Sequence, residues 1–282
     1  MKIYGKIFVE VMQNSDGGPC IMKTIKLWND ENSVEMHCYD PKVKKGDGAV
    51  IIFSGGGYSH RAYHEAEPYA LELNRMGLLA FVVDYSVAPY GHPVQLGEAR
   101  RAVSYVRYNA AELGIESDKI AVMGSSAGGH LAALCATSKE IFAYENTDEI
   151  GLTDYRPNAQ ILCYPVTDKT SHSGSYKNLI GEKKFSRYKE KDVNPIDLAD
   201  KDTPPAFIWH TSSDDCVDVK GTYRYAARLS ELGAPVEMHI YPVGCHGLGL
   251  ATGDPKRAPV KYVQRWIEDL ERWLKLIGWI NE

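Results

Sequence analysis

One hydroxyl in this chain is placed by its neighbours to act as a nucleophile. Ser126 stands in Gly124-Ser125-Ser126-Ala127-Gly128, the G-x-S-x-G pattern in which a serine sits on a sharp turn between a strand and a helix. The apolar run Ile120, Ala121, Val122 and Met123 before it reads as a buried strand. Gly128, Gly129 and the alanines after them let a helix start pressed against that strand. The N-terminus of such a helix offers unpaired N–H groups and a favourable dipole to an oxyanion formed beside the serine. A serine hydroxyl is a poor nucleophile near neutral pH, so it needs a base within hydrogen-bond reach and an acid behind the base.

Both are available at suitable places. His246 follows the strand-like run ending at Tyr241 and lies between Gly244 and Gly247, so its imidazole can swing over the serine turn. The paired acids Asp214 and Asp215 follow the apolar run Ala206, Phe207, Ile208 and Trp209, and either could orient the histidine. Serine, then acid, then histidine is the chain order of a triad built on a parallel sheet. Six of the other eight histidines have plainer readings: His130 in a helix, His210 at a strand end, His239 inside a strand, and His60, His64 and His92 as loop residues at a pocket or the surface.

Acyl transfer also needs donors for a tetrahedral oxyanion, each worth about 3 kcal/mol when well placed. Gly55, Gly56 and Gly57 present backbone N–H groups without side-chain obstruction, and with the Ala127 N–H they form a plausible hole. The triplet lacks the spacings of a phosphate cradle. Tyr58, next in the chain, reads either as an aromatic wall of an acyl pocket or as packing for the loop.

The elements that position these residues follow from periodicity. Residues 1–48 read as an antiparallel hairpin at a sheet edge, with Ile25, Leu27 and Trp28 against Val34, Met36, Cys38 and Tyr39 across a break at 29–32. Buried strands are predicted over 49–53, 78–85, 120–123, 159–164, 206–209 and 236–241. Helices are predicted over 65–76, 94–113, 219–232 and the C-terminal segment from Val260, whose Trp266 and Trp273 read as core. Residues 168–202, with the polar run 182–191, read as a solvated loop or helix, or alternatively as a lid or insertion. Alternating strands and helices imply an α/β fold with a mostly parallel central sheet, helices on both faces, and chemistry at the carboxyl ends of the strands. With no repeat and no linker, 1–282 reads as a single domain.

Bulk properties narrow the function classes. Hydrophobic residues make up 44% and charged residues 24% of the 282, which suits a globular core rather than disorder. A net charge of -5 argues against a nucleic-acid partner. The sequence contains no apolar run of membrane length and opens without a signal-like apolar stretch, so no membrane partner and a cytoplasmic location are expected. The six cysteines lie far apart and read as buried or partly buried small hydrophobes, with no metal and no cofactor implied.

Five motifs in order carry a family resemblance: SGGGY from Ser54, DYSVAP from Asp84, GSSAGGHLA from Gly124, PPAFIWHTSSDD from Pro204 and GCHGLGL from Gly244. Together they resemble α/β-hydrolases of the hormone-sensitive-lipase-like and acetyl-esterase or acetylxylan-esterase (BD-FAE-like) group. The resemblance implies Ser126 as nucleophile, Asp214 as acid, His246 as base, and Gly56, Gly57 and Ala127 as oxyanion donors. It also implies hydrolysis of small esters, with acetyl groups on sugars or xylo-oligosaccharides as the expected substrate. Related enzymes begin the glycine loop with histidine where this chain has Ser54, which leaves the anchoring of that loop open. A prolyl-oligopeptidase-like peptidase shares the D-D turn and the serine turn, and a non-catalytic binding protein could use the same fold. The oligomeric state, including a homo-oligomer, stays open.

Overall fold

A computed structural model describes residues 7–13, 19–28, 33–140, 148–181, 190–254 and 257–281. Nine strands among them form one sheet: β1 Ile7–Gln13, β2 Pro19–Lys26, β3 Glu35–Tyr39, β4 Ala49–Phe53, β5 Leu79–Val83, β6 Ile120–Ser125, β7 Ala159–Cys163, β8 Ala206–Thr211 and β9 Val236–Tyr241. Their spatial order is β1-β2-β3-β5-β4-β6-β7-β8-β9. The first three strands pair antiparallel, β3 meets β5 antiparallel, and every pairing from β5 to β9 is parallel.

The helices are α1 Glu67–Arg75, α2 Val94–Tyr108, α3 Ala110–Leu113, α4 Ala127–Thr137, α5 Ser173–Ile180, α6 Pro195–Leu198, α7 Lys220–Glu231, α8 Lys261–Gln264 and α9 Trp266–Leu276. Every residue of β4 is buried, and alternate residues feed opposite faces of the sheet. Ala49, Ile51 and Phe53 pack with Val122, Leu131 of α4, Leu96 of α2 and Leu229 of α7. Val50 and Ile52 pack with Met123, Tyr69 of α1, and Trp266 and Trp273 of α9. Each fully buried aliphatic side chain contributes about 1.5–3 kcal/mol, so the unbroken apolar runs in the sequence are also what fixes the sheet's place between two helical layers.

The sheet order also positions the chemistry. β4 pairs with β5 on one side and β6 on the other, so the connections run in opposite directions from this point and a crevice opens at the carboxyl ends. In that register Phe53 lies opposite Gly124, which sets residues 54–57 beside residues 125–127. At the far side Thr211 lies opposite Tyr241, so the loops that carry Asp214 and His246 leave the sheet side by side.

Several sequence expectations are corrected. The edge hairpin is present as β2 and β3, but β1 adds a further strand outside it, so the glycine loop follows the fourth strand in the chain and not the third. The break at 29–32 lies outside the described residues. The helix predicted over 94–113 divides at Asn109, whose side-chain amide donates at 2.8 Å to the same Tyr105 carbonyl that accepts its backbone N–H at 3.1 Å. Cys38, Cys135 and Cys163 are buried, whereas Cys216 and Cys245 are exposed on the loops after β8 and β9. Within 168–202, α5 and α6 are ordered helices packed on the body, and most of the polar run falls at 182–189, outside the described residues. No helix among the described residues is long and apolar enough to cross a membrane.

Candidate active site

The serine turn is shaped by what its glycines allow. A Cβ on Gly124 would stand 2.2 Å from the Gly128 carbonyl oxygen, and one on Gly128 would stand 2.0 Å from that of Phe53. Only glycine lets β6, α4 and β4 approach this closely. Ser126 is held at φ 54° and ψ -118°, a conformation that an L-residue adopts only when its surroundings enforce it. Three backbone bonds of 3.0 Å do so: Ser126 N–H to the Cys163 carbonyl, and the His130 and Val166 N–H groups to the Ser126 carbonyl. The neighbouring Ser125 is fully buried, and its hydroxyl pairs with that of Tyr69 at 2.9 Å. Of the two serines, only Ser126 turns toward the imidazole of His246.

His246 Nε2 lies 2.8 Å from Ser126 Oγ, and His246 Nδ1 lies 2.8 Å from Asp214 Oδ2. A carboxylate only accepts, so Nδ1 carries a proton and Nε2 offers its lone pair to the serine O–H. Asp214 Oδ1 accepts from the N–H groups of Cys216 at 2.9 Å and Val217 at 2.8 Å, and Oδ2 also meets His210 Nε2 at 3.1 Å. His210 is itself fixed by Thr222 Oγ1 at 2.8 Å. Burial alone would raise the Asp214 pKa, but bonds from His210 and His246, the charge His246 can carry and the Val217 N–H outweigh it and hold the carboxyl well below the usual range. Asp215 plays a different part: its Oδ1 accepts the His246 backbone N–H at 3.1 Å. The two acids left open by the sequence are thereby told apart, one at the ring and one at the backbone of the same histidine.

On the other side of Ser126 the glycine loop is fastened at three carbonyls or amides. Tyr85 O–H donates to the Ser54 carbonyl at 2.7 Å, Gly55 N–H donates to Glu65 Oε2 at 2.8 Å, and Asn178 Nδ2 donates to the Gly57 carbonyl at 2.8 Å. These bonds anchor the loop without a histidine at position 54. The N–H groups of Gly56, Gly57 and Ala127 donate to no acceptor among the described residues. They remain for a ligand oxygen.

Tyr58 is corrected from the pocket-wall reading. It has no exposed surface, its ring packs edge-on against Tyr85 and His130, and its hydroxyl meets His130 Nδ1 at 2.7 Å. With no free face it braces the loop from behind.

Two parts of the site escaped the sequence reading. His210 looked like an ordinary strand end. Glu65 gave no signal, yet its buried carboxylate joins Gly55 to Tyr164, whose O–H donates to Oε1 at 2.6 Å. The Tyr164 hydroxyl oxygen also accepts the Gly249 N–H at 2.9 Å and lies 3.2 Å from the Tyr69 hydroxyl, while the ring stands edge-on to His246 at 5.2 Å. The hydrogen-bonded partners lie 10 to 99 positions apart and follow no motif spacing; only the fold brings them together. Among the described residues no group of three or more His, Cys, Asp or Glu is arranged to hold a metal ion.

Comparison with known proteins gives one consistent result. The BD-FAE family model matches residues 36–229. An acetylxylan esterase of Xylanibacter ruminicola is 30% identical over 260 residues, which is 88% of this chain and 49% of that protein. The crystal structure of an acetyl ester-xyloside bifunctional hydrolase from Caldicellulosiruptor lactoaceticus superposes with a TM-score of 0.82 at 38% identity, covering 92% of this chain and 97% of that one. MGS-M1, an α/β-hydrolase enzyme from a deep-sea metagenome library, superposes with a TM-score of 0.71 at 33% identity over 92% of this chain and 98% of its own. The fold is that of the α/β-hydrolases. The chain spans 33% and 49% of the two curated relatives it matches first.

Proposed function

This chain belongs to the BD-FAE family, and on that premise we propose that it is a serine carboxylesterase that removes short acyl groups, acetyl foremost, from esters of sugars or xylo-oligosaccharides. The observation that carries the reading is the continuous line of two 2.8 Å bonds from Asp214 through His246 to Ser126 Oγ, with the uncommitted N–H groups of Gly56, Gly57 and Ala127 on the loop and turn at the serine end. Ser126 Oγ attacks the ester carbonyl while His246 Nε2 takes its proton. The carbonyl oxygen becomes an oxyanion held by Gly56, Gly57 and Ala127, and His246 passes the proton to the departing alcohol. Water then attacks the acyl-serine by the same route in reverse roles and releases the acid. No cofactor enters any step. The names of the relatives support acetylated xylan fragments as the substrate class, and the chain serves as one catalytic unit because strands β4, β6, β8 and β9 each deliver a reacting group.

The test is a panel of aryl esters of rising acyl length, acetylated xylo-oligosaccharides and aminoacyl amides, run with wild type and Ser126→Ala. Highest kcat/KM on acetyl or propionyl esters, abolished in the variant, is the expected outcome. An optimum at octanoyl or beyond would sink the short-acyl reading, because about 0.8 kcal/mol per buried methylene then accumulates in an open groove. Preferential cleavage of the amides would favour a peptidase.

A further inference from the structure

Beyond the reacting atoms, one wall of the site is built by residues 164–172 and by α5. This segment leaves β7, sets Tyr164 edge-on against His246, and passes the nucleophile where Val166 N–H donates to the Ser126 carbonyl. It is then tied to the acid's loop by the Asp218 N–H, which donates to the Ser171 carbonyl at 3.0 Å, and ends at His172, the N-cap of α5. On its far side α5 is fastened to the glycine loop through Asn178 and Gly57, and Ser175 Oγ lies 3.9 Å from where a Cβ on Gly57 would be. His172 is thus held between the loop that carries Asp214 and the loop that carries Gly57.

The bonding of its ring fixes which nitrogen faces outward as a donor. Ser175 N–H donates to His172 Nδ1 at 3.2 Å, and Ser175 Oγ lies 2.8 Å from the same atom. A backbone N–H needs a lone pair, so Nδ1 is unprotonated and the proton of the neutral ring sits on Nε2. The side chain is partly exposed and Nε2 has no partner among the described residues. Burial first, and then the charge His246 can carry, push the His172 pKa down, with Asp214 opposing. Ser171, the residue before it, accepts from Asp218 on the loop that holds Asp214, and Ser175, which binds its ring, lies against Gly57, so His172 stands at the rim between acid loop and glycine loop, on the side of the base from which the alcohol departs.

We propose that His172 determines specificity for the alcohol half of the ester: its Nε2–H donates a hydrogen bond to a hydroxyl or ring oxygen of the sugar next to the ester linkage. The proposal rests on the esterase reading above and assigns the wall that reads the sugar. A simple aryl acetate carries no oxygen at that place and gains nothing from the bond.

The variant that tests it is His172→Ser, because serine is a strong N-cap whose Oγ can accept the Ser175 N–H while no donor reaches the place of Nε2. kcat/KM is measured on acetylated xylo-oligosaccharides and on phenyl acetate. About a tenfold loss on the sugar esters is expected, the scale of one neutral hydrogen bond whose partner is left unpaired, with phenyl acetate unchanged within twofold. A ratio of the two activities equal to that of wild type overturns the proposal, whether both stay high or both fall, since a purely structural role moves both together. A wild type that cleaves phenyl acetate but no acetylated sugar overturns the substrate reading and the subsite with it. His172→Ala, which lacks the cap, should lose stability as well as selectivity; selectivity intact in both variants rejects the role of Nε2.

Discussion

Two buried carboxylates flank Ser126, and they are used in opposite ways. Asp214, whose side chain is 1% exposed, accepts from two backbone N–H groups and faces two imidazoles. One of these, His246, becomes cationic as the serine gives up its proton, so the charge of Asp214 is met by a charge that appears during the reaction. Glu65, 2% exposed, accepts from neutral donors, Gly55 N–H and Tyr164 O–H. Nothing it directly hydrogen-bonds changes charge when the serine attacks. Burying a carboxylate is costly unless its lone pairs are satisfied, and both are satisfied. The difference is in what the satisfaction achieves: at Asp214 it orients a proton, and at Glu65 it orients backbone, tying the glycine loop to the strand β7 end and through Tyr164 to Gly249 on the histidine's loop.

If that division is right, the largest losses come from the groups that handle the proton directly. Ser126→Ala and His246→Ala are each expected to lower turnover by about a millionfold while the far-ultraviolet circular dichroism and thermal midpoint stay near wild type. Retention of more than a few per cent of activity by Ser126→Ala would remove the serine from the reaction. A phosphonate should label Ser126 and spare Ser125, whose hydroxyl is buried against Tyr69.

Next come the paired acids. Asp214→Asn should cost about 10⁴-fold in kcat, because an amide can present its N–H to His246 Nδ1 and impose the wrong tautomer on the ring. Asp215→Asn keeps an oxygen for the His246 backbone N–H and should cost far less, about tenfold at most. The reverse ranking in folded proteins would move the orienting role to Asp215.

How far the sequence could lead is clear from these same residues. Ser126, its glycines and the helix behind it are local: a strand, a close turn and a helix start are encoded within about ten neighbouring positions, and all appear where periodicity put them. The loops after β8 and β9 were legible because motif order and strand ends point to one edge of a parallel sheet. Glu65 and Tyr164 were not legible, since the bond between them spans 99 positions and depends on the turn before α1 meeting the residue that follows β7. The strand β1 was folded into a hairpin reading because an added antiparallel edge strand carries no signal beyond alternation. Tyr58 stayed open between pocket wall and loop packing for a related reason: being next to a glycine loop says nothing about which side of the loop a ring occupies.

The oxyanion side can be probed through Glu65. Glu65→Ala frees the Gly55 N–H and leaves the Tyr164 hydroxyl without its acceptor, so the glycine loop loses its fixed position. A displacement of about 1 Å in a catalytic group can cost about 100-fold, and that is the expected fall in kcat, with KM moving much less. Affinity for a boronate that mimics the tetrahedral adduct should weaken in parallel. Glu65→Gln retains one acceptor and can donate to the Tyr164 oxygen, and it should recover most of the loss. A kcat unchanged in Glu65→Ala would show that the loop keeps its place without this carboxylate.

The smallest effect is expected behind the loop, at the pair of Tyr58 and His130. Burial pushes the His130 imidazole down to about 4, against the opposing pull of the Val193 carbonyl and Asp168, so in the folded protein it is neutral where the unfolded chain is already protonated. The sign follows from linkage: between about pH 6.5 and 4 the unfolded state binds more protons, so this stabilisation is complete above 6.5 and is lost as pH falls, by about 3 kcal/mol in all. Glu98 works the other way, since burial raises its pKa to about 6 and the folded state holds its proton more tightly there. The His130 contribution is therefore read as the difference between urea midpoints of wild type and His130→Gln across that range. Tyr58→Phe removes only the hydroxyl that meets Nδ1 at 2.7 Å and should cost about 1 kcal/mol at neutral pH. Because the ring still packs on Tyr85 and has no surface facing the site, the acyl-length profile should not move. A shift of that profile toward butyryl or longer esters would return Tyr58 to the wall of the acyl pocket.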